Sequence, residues 1–362
     1  MTTKEKVLSA LASLKNGDFI SGEEFAVTCS VSRTAIWKAI RSLEESGYKI
    51  EAVTNRGYRL VSKPDNLDAT EISRIIKDSC EKIVKIFLFD TIDSTNSEAK
   101  RIAVEAGAFR DAKGNLTAGG ESANLSLFAA ESQTGGKGRL GRSFISPKET
   151  GVYFSLLYSP KNGVKNPALY TAAAALAVVK SISKLYGEDA QIKWVNDVFL
   201  AEKKVCGILV EGIANFETGN IDAAVVGIGI NIRQNKNLSG DIAKIVGSIE
   251  EAKLAHNKIF EARTKNELIA EVVSNLLGFY EKFENDDENA IKDLVSEYRA
   301  KSMLIGKTVT VNPVAGSDFE SYRAKVKSIS DEMKLVVENE AGEIKELSSG
   351  EVSLHSYDFA SA

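Results

Sequence analysis

Residues 131–144, ESQTGGKGRLGRSF, place Gly136, Gly138 and Gly141 in the spacing G-x-G-x-x-G, a pattern associated with dinucleotide-binding turns. In that fold the turn follows a strand and opens a helix, whose N-terminus receives the pyrophosphate. Here the next residues, RSFISPKETGVYFSLLY at 142–158, contain a proline and then a β-type run. Because no helix follows the glycines, the context argues against a dinucleotide fold.

The same loop carries three cations, Lys137, Arg139 and Arg142, which a turn built on backbone N–H groups does not require. Glycines allow the backbone to wrap a ligand, and Lys and Arg neutralise negative charge. We therefore interpret it as a mobile anion clamp. A flexible basic surface loop is an equally good reading of these residues alone.

The composition is that of an ordinary globular protein, with 362 residues, 43% hydrophobic, 27% charged and a net charge of −4. That length predicts two or three domains. Residues 1–63 carry 10 Lys and Arg against 7 Asp and Glu, a balance of +3, which leaves −7 for residues 64–362. The N-terminal segment is thus the candidate for contact with an anionic partner.

Cysteine content and hydropathy together predict a cytoplasmic protein. Cys29, Cys80 and Cys206 are few and widely spaced, which argues against a disulfide framework or a Cys-based zinc site. We expect no segment close to the roughly 20 apolar residues of a membrane span, and the N-terminus lacks a signal-peptide core.

Residues 1–62 are predicted to form a winged helix-turn-helix, with three short helices and a hairpin. Thr2 and Glu5 form a capping-box pair, and Ser32 suits the start of a third helix. A polar face on that helix and the hairpin tip are the candidate DNA contacts, namely Ser32, Arg33, Thr34, Trp37, Lys38, Arg41 and Arg56. A small helical domain for protein contacts is the alternative.

Three further regions follow. Residues 63–69 are polar, contain Pro64 and are predicted to be a linker. Residues 70–303 alternate helical and strand patterns, which indicates a mixed α/β domain, with a loop at 107–125. Residues 304–362 hold five short alternating strands, typical of a small β-barrel. The fold class is therefore α+β with several domains.

Three other motifs carry polar groups at strand ends. DSTN at 93–96 offers hydroxyl and amide groups for a polar ligand, or simply a helix cap. KWVND at 193–197 is either part of a site or a surface hairpin with an ion pair. In KKVCGILVEG at 203–212, Lys204 can reach inward toward phosphate or carboxylate, or remain a surface lysine.

Taken in order, these stretches resemble the bifunctional biotin protein ligases of the biotin operon repressor type. The matching residues are SRTAIWKAIRSLEESGYKI with NRGYRL, then DSTN, ESQTGGKGRLGRSF, KWVND, KVCGILVEG, GIGINI and GEVSLHS. The resemblance covers nearly the whole chain. It implies a class II synthetase-like catalytic domain at 70–303 and an SH3-like barrel at 304–362.

The resemblance also implies the reaction and its partners. Biotin and MgATP would give biotinyl-5′-adenylate, and the biotinyl group would then pass to a lysine of a biotin carboxyl carrier domain. The adenylate would act as corepressor by favouring a homodimer that binds operator DNA. The rival functions are a lipoate-type ligase and a transcription factor that only senses its ligand.

Site residues follow from the matching positions. Lys204 and Arg139 would be catalytic. The expected biotin-binding set is Ser94, Thr95, Asn96, Gln133, Lys137, Gly138, Arg139, Lys204 and Gly207. The expected nucleotide set is Lys137, Arg139, Lys193, Asn196, Asp197 and Asn231, with Mg²⁺ arriving as MgATP and no metal ligand assigned. Glu351 is expected to support ATP use or acceptor docking.

The chain departs from the family at three positions. Lys137 and His355 stand where the family usually has Arg, and Val195 stands where it usually has Pro. At position 137, lysine lacks the bidentate fork of arginine. A contact made by His355 would depend on pH. Val195 in place of proline would loosen the turn.

Overall fold

The structure is a computed structural model. It describes residues 2–14, 18–54, 56–62, 65–82, 84–111, 113–215, 218–259, 263–285, 287–312, 320–348 and 351–354. The chain divides into two compact units, Met1–Asn66 and Leu67–Ala362. The division falls within residues 63–69.

The described residues of the first unit form three helices and one antiparallel hairpin. They are α1 (Thr3–Ser13), α2 (Gly22–Cys29), α3 (Arg33–Glu45), β1 (Lys49–Val53) and β2 (Gly57–Ser62). This is the winged helix-turn-helix arrangement predicted from the sequence.

Local capping explains where these helices begin. Thr2 and Glu5 form the predicted capping box at α1, and the Ser32 hydroxyl accepts the Ala35 N–H at α3. Each cap satisfies backbone N–H groups that the first turn leaves unpaired. The apolar stripes then pack into one small core, whose most buried members are Val7, Leu11, Phe25, Ile36, Ile40 and Leu43.

The second unit is built on a seven-stranded mixed sheet. Its strands are β3 (Lys85–Ile92), β4 (Ser126–Gln133), β5 (Gly151–Tyr158), β6 (Gln191–Lys193), β7 (Asp197–Leu200), β8 (Lys203–Ala214) and β9 (Ile221–Asn231). Their order is β3-β4-β5-β9-β8-β7-β6. The β3–β4 pair is parallel and the other pairs are antiparallel.

Strand β9 lies in the middle of this sheet. Its sequence is almost continuously apolar, and Asp222–Ile230 are all buried. A strand covered on both faces needs apolar side chains on both faces, and the run IDAAVVGIGINI at 221–232 supplies them.

Eight α-helices lie in the described part of this unit. They are α4 (Ala69–Cys80), α5 (Thr95–Glu105), α6 (Ala118–Ala123), α7 (Pro167–Tyr186), α8 (Gly240–Ile245), α9 (Ile249–Ala255), α10 (Lys265–Glu284) and α11 (Glu288–Ala300). Helix α7 is long and apolar enough for a membrane span, contrary to the expectation that no segment comes close. It is mostly buried in the same hydrophobic core as the sheet and α10, as in the core helix of a globular domain.

The expectation of a loop over 107–125 is wrong at α6, where Gly119 and Gly120 lie inside a helix. A Cβ at Gly119 would stand 2.0 Å from the Ala106 carbonyl oxygen, and one at Gly120 would stand 2.3 Å from that of Phe109. Tertiary packing therefore requires glycines that intrinsic helix propensity disfavours.

The C-terminal part forms a five-stranded antiparallel sheet. Its strands are β10 (Thr308–Asn312), β11 (Tyr322–Ile329), β12 (Leu335–Asn339), β13 (Ile344–Leu347) and β14 (Glu351–Leu354), in the order β13-β12-β11-β10-β14. It shares a hydrophobic core with the seven-stranded sheet, and the Trp194 indole N–H donates to the Met333 carbonyl oxygen at 2.8 Å.

A buried ion pair fixes the start of the second unit. Lys265 Nζ lies 2.6 Å from Glu131 Oε2, and the two side chains are only 4% and 9% exposed. The other carboxylate oxygen of Glu131 accepts the Leu67 N–H at 2.8 Å. The end of the predicted linker is thus attached to β4, two residues before Gln133.

Candidate functional site

The site forms where two parallel strands end. Strands β3 and β4 are in register up to Ile92 and Gln133. Residues 93–96 continue from β3 into α5, so they stand directly beside Gln133. Ligand crevices form preferentially at the carboxyl ends of parallel strands.

The first cavity has an empty volume of about 300 Å³. It is lined by Ser94, Thr95, Asn96, Gln133, Lys137, Phe144, Gly207, Leu209, Gly227, Ile228 and Gly229. Six predicted biotin contacts are therefore brought together here, from segments that lie far apart in the sequence.

Hydrogen bonds organise the polar wall of this cavity. Gln133 Oε1 accepts the Thr95 N–H at 2.9 Å, and Gln133 Nε2 donates to Ser146 Oγ at 2.8 Å. The Ser155 hydroxyl lies 2.7 Å from Thr95 Oγ1 and 2.6 Å from Asn96 Oδ1. Ser94 also caps α5 through the Ser97 N–H, so its capping and ligand-facing roles coexist.

A second, larger cavity adjoins the first and shares Lys137, Phe144, Gly207 and Leu209 with it. Its empty volume is about 1020 Å³. Among its lining residues are the predicted nucleotide and loop residues Lys137, Gly138, Arg139, Lys193, Asn196, Asp197 and Lys204. A polar pocket lined by one cation, Lys137, thus opens into a space that contains several cations.

Lys204 and Arg139, two of the cations that line the second cavity, each have a polar partner there. Lys204 Nζ lies 2.7 Å from Asp197 Oδ1, and both side chains are about three-quarters buried. Arg139 Nη1 donates to Asn196 Oδ1 at 3.0 Å, while Asn196 Nδ2 donates to the Ile208 carbonyl oxygen at 2.9 Å. Lys204 is therefore an inward-facing cation fixed by an ion pair, and it is not a mobile surface lysine.

The glycine-rich loop is an irregular hairpin with no α-helix after it until Pro167. Gln133 pairs with Ser146 and Lys137 pairs with Ser143, while Arg139–Gly141 form a single 3-10 turn. The sequence inference that this is not a dinucleotide turn is confirmed. Lys137 and Arg142 are exposed in this arrangement, whereas Arg139 is half-buried.

Phe144 was not identified from the sequence, yet it lies against the floor of the site. A Cβ at Gly229 would stand 2.4 Å from its Cε1 atom, and one at Gly207 would stand 3.0 Å from its Cε2 atom. Aligned glycines on β8 and β9 are the sequence signal that could have indicated a ring packed on these strands.

Gly227 makes the closest approach in the site, because a Cβ there would stand 1.9 Å from Asn96 Oδ1. We expect Gly227→Ala to displace the Asn96 amide and to weaken biotin binding by at least tenfold. Isothermal titration with biotin measures the change. Gly278→Ala on α10 is the control, since nothing lies within 4 Å of a Cβ there. Unchanged affinity in Gly227→Ala would contradict the placement of Asn96 in the site.

Asn231 is not among the residues that line either cavity. Its Nδ2 atom donates to the Gly247 carbonyl oxygen at 3.1 Å, and the Gly247 N–H donates to the Lys204 carbonyl oxygen at 3.0 Å. In this structure Asn231 therefore supports the segment beside Lys204. Its predicted contact with adenine stays a prediction.

The three departures from the family have different structural settings. Lys137 lies at the exposed edge of the loop. Val195 is buried, follows a cis Trp194–Val195 bond, and has its carbonyl oxygen bonded by the Tyr298 hydroxyl at 2.9 Å. His355 lies outside the described residues, as does the side chain of Glu351 at the start of β14.

The candidate DNA interface lies in the first unit. On α3, all the predicted residues from Ser32 to Arg41 are exposed, and Trp37 is 52% exposed. The Arg41 guanidinium lies 5.1 Å from the centre of the Trp37 ring, while Arg56 lies 4.2 Å from that of Phe19. An exposed aromatic ring beside cations on an otherwise polar helix face suits contact with DNA.

The chain is similar to proteins of known function along nearly all of its length. Residues 119–231 match the biotin/lipoate A/B protein ligase family, and residues 6–59 match an HTH domain. The bifunctional ligase/repressor BirA of Bacillus subtilis is 30% identical over 354 residues, covering 98% of this chain and 99% of the relative. BirA of Escherichia coli K12 is 28% identical over 298 residues, covering 80% and 86%.

A solved structure agrees with these sequence relatives. It is the biotin protein ligase of Aquifex aeolicus in complex with biotin and ATP, with a TM-score of 0.56 and 25% identity, covering 75% of this chain and 98% of that one. Sequence, domain order and fold all agree, and the chain belongs to the family of bifunctional ligase/repressors of the BirA type, a biotin ligase joined to a helix-turn-helix repressor domain.

Proposed function

We propose that this chain joins biotin to the α-phosphate of MgATP and then transfers the biotinyl group to a lysine of a biotin carboxyl carrier domain. The observation that carries the proposal is the pair of adjoining cavities. A pocket with several uncharged hydrogen-bonding side chains suits the ureido ring. The space next to it holds Lys204 and Arg139, where the carboxylate and the α-phosphate must meet.

The chemistry needs positioning and charge neutralisation rather than a protein nucleophile. A biotin carboxylate oxygen attacks the α-phosphorus and pyrophosphate leaves, after which the carrier lysine attacks the acyl carbon and AMP leaves. Two anions must approach each other in the first step, so fixed cations lower its barrier. No histidine or cysteine is among the lining residues, and burial raises the pKa of the nearby Cys206 thiol.

Each predicted residue has a role in this scheme. Ser94, Thr95, Asn96 and Gln133 would bind the ureido ring, with Gly207 beneath the ligand. Lys137, Gly138 and Arg139 would close over the adenylate, and Lys204 would contact the carboxylate and the phosphate. Lys193, Asn196 and Asp197 would shape the nucleotide side, and Asn231 would meet the adenine.

Magnesium would arrive with ATP. Among the described residues, no group of three or more His, Cys, Asp or Glu side chains could hold a metal ion. The donor set at the second cavity includes Asp197, which already pairs with Lys204. One carboxylate could share in holding a nucleotide-bound ion, and the ion would neutralise phosphate charge there.

The repressor function would depend on the same ligand. We propose that the cytoplasmic protein dimerises when the adenylate orders its loops, because a ligand that prefers the dimer-competent state shifts the population toward it. A dimer would present two α3 helices to a roughly palindromic operator.

One labelling assay tests the proposed enzyme activity. The chain is incubated with MgATP, a biotin carboxyl carrier domain, and either labelled biotin or labelled lipoate. We expect labelling of the carrier by biotin only. Labelling by lipoate alone would overturn the substrate assignment. Absence of labelling would indicate a ligand-sensing regulator.

A further inference from the structure

Glu211 lies next to the first cavity but is not among the residues that line it or that were predicted to bind a ligand. It is the ninth residue of β8, its side chain is 27% exposed, and it contacts two residues of α5. Lys100 Nζ donates to Oε1 at 2.7 Å, and Asn96 Nδ2 donates to Oε2 at 2.8 Å. Partial burial would raise the pKa of Glu211, but these two donors outweigh it and lower the pKa, so the carboxylate is ionised near neutral pH.

An ionised carboxylate only accepts hydrogen bonds, so it decides which way the Asn96 amide points. Asn96 Nδ2 faces two acceptors, Glu211 and, at 3.3 Å, the Leu209 carbonyl oxygen. Asn96 Oδ1 must then face Ser155 Oγ, 2.6 Å away. Because an amide oxygen cannot donate, the single hydroxyl hydrogen of Ser155 is committed to Asn96.

The direction of the Ser155 hydrogen bond also determines which hydrogen bonds Thr95 can make. Thr95 Oγ1 lies 2.7 Å from Ser155 Oγ and 3.2 Å from Gln133 Oε1. Ser155 has one hydrogen for two neighbouring oxygens, and Asn96 Oδ1 takes it because an amide oxygen cannot donate. Thr95 then shares its own hydrogen between Ser155 Oγ and Gln133 Oε1. The lone pairs of Thr95 Oγ1 are then left to accept a hydrogen bond from a ligand in the cavity that Thr95 lines.

We propose that Glu211, held by Lys100, is a positioning residue that sets the hydrogen-bond polarity of the ring pocket through Asn96, Ser155 and Thr95. The pocket then offers an acceptor to a ligand N–H and selects a cyclic urea over a ring with an oxygen at that place. This inference rests on biotin being the substrate.

Glu211→Gln is the decisive variant because it is nearly isosteric. Lys100 would donate to the one amide oxygen of the new glutamine side chain. The NH₂ group of that glutamine would then face Asn96. Asn96 would then turn over and Ser155 would donate to Thr95, while the Thr95 hydrogen would go to Gln133 Oε1. One of the two lone pairs of Thr95 Oγ1 would then no longer be free to accept the ligand N–H. We expect the KM for biotin to rise roughly ten- to a hundredfold. We expect kcat and the KM for ATP to stay within about twofold, since only ring recognition is affected.

Glu271→Gln is the matched control. Glu271 also pairs with a lysine at 2.7 Å, Lys184, and with an amide at 3.2 Å, Asn275, but it lies on α10 away from both cavities. We expect no change in the KM for biotin. If Glu211→Gln and Glu271→Gln raise that constant equally, or if neither does, the inference is overturned.

A second substitution separates polarity from simple packing. Adding Lys100→Met to Glu211→Gln frees the glutamine to turn its oxygen toward Asn96, so we expect several-fold recovery of the KM for biotin. A packing defect would instead become worse in the double variant, and that result would contradict the proposal.

Ligand discrimination gives a readout that does not depend on catalysis. Titration of the wild-type chain with biotin and with its cyclic carbamate analogues, in which oxygen replaces either ureido N–H, should show preference for biotin over at least one analogue. The Glu211→Gln chain should lose most of that preference. Full wild-type discrimination in Glu211→Gln would refute the role of Glu211, whereas failure of the wild type to bind biotin would refute the proposed function itself.

Discussion

Lys204→Ala is expected to lower the rate of biotinyl-adenylate formation by roughly a thousandfold. Lys204 Nζ lies 2.7 Å from Asp197 Oδ1 in the cavity where the carboxylate and the α-phosphate would meet. Removing it takes away the cation between two anions and leaves Asp197 as a third negative charge. Biotin-dependent exchange of labelled pyrophosphate into ATP measures the first half-reaction directly.

Two comparisons isolate the catalytic effect of Lys204. Lys184→Ala removes another lysine that lies 2.7 Å from a carboxylate, but on an exposed face, and should leave the exchange rate unchanged. Adding Asp197→Asn to Lys204→Ala removes the unbalanced charge and should recover part of the loss. Exchange within tenfold of wild type in Lys204→Ala would show that another group neutralises the reacting anions.

The fold could be predicted well wherever its signals are local. Thr2 with Glu5 and Ser32 with Ala35 cap helices within three residues of sequence, so α1 and α3 follow from short motifs. The continuous apolar run of β9 predicts a strand buried on both faces, and it is one. The absence of a helix after the glycine-rich loop also followed from Pro147 and the β-type residues beyond it.

The site was predicted by residue type but not by arrangement. Ser94, Thr95 and Gln133 were identified from motifs, and the parallel register of β3 and β4 brings them together. Glu211 was not identified from the sequence as part of the site, because its partner Lys100 lies 111 positions away. Ser155 sits in an apolar strand, where a single serine gives no functional signal. Only the pairing of Ser155 with Gly227 across β5 and β9 places it under Asn96.

Other differences have the same origin. Helix α6 contains two adjacent glycines, which intrinsic propensity assigns to a loop, and only the close approach to Ala106 and Phe109 explains them. Asn231 lies outside the lining of both cavities and donates to the Gly247 carbonyl oxygen, and its contact with adenine stays a prediction. These contacts join residues far apart in sequence, which no local pattern encodes.

Removal of residues 1–62 is expected to abolish specific DNA binding and to leave biotin transfer to the carrier domain. Those residues contain the whole of the small core around Leu11, Phe25 and Ile40, and α3 with its exposed basic face. The predicted ligase residues all lie in the second compact unit, which has its own core. The probe is a duplex that the full-length protein selects from a random-sequence pool with biotin and MgATP, measured by fluorescence anisotropy.

A point variant of the full-length chain separates the interface from loss of a whole unit. Lys38→Ala removes one exposed cation from α3, and it should lower the slope of log affinity against log salt by about 0.9 if that lysine contacts a phosphate. Lys77→Ala changes an exposed lysine of α4 in the second unit and should leave the slope unchanged. Operator binding that survives the deletion would place the DNA contacts away from α3. The same conclusion would follow if Lys38→Ala changed neither the salt slope nor the affinity. Loss of DNA binding with retained biotin transfer would instead assign operator recognition to the first unit and adenylate synthesis to the second. Any effect of biotin on DNA binding must then pass through the ligand-bound second unit.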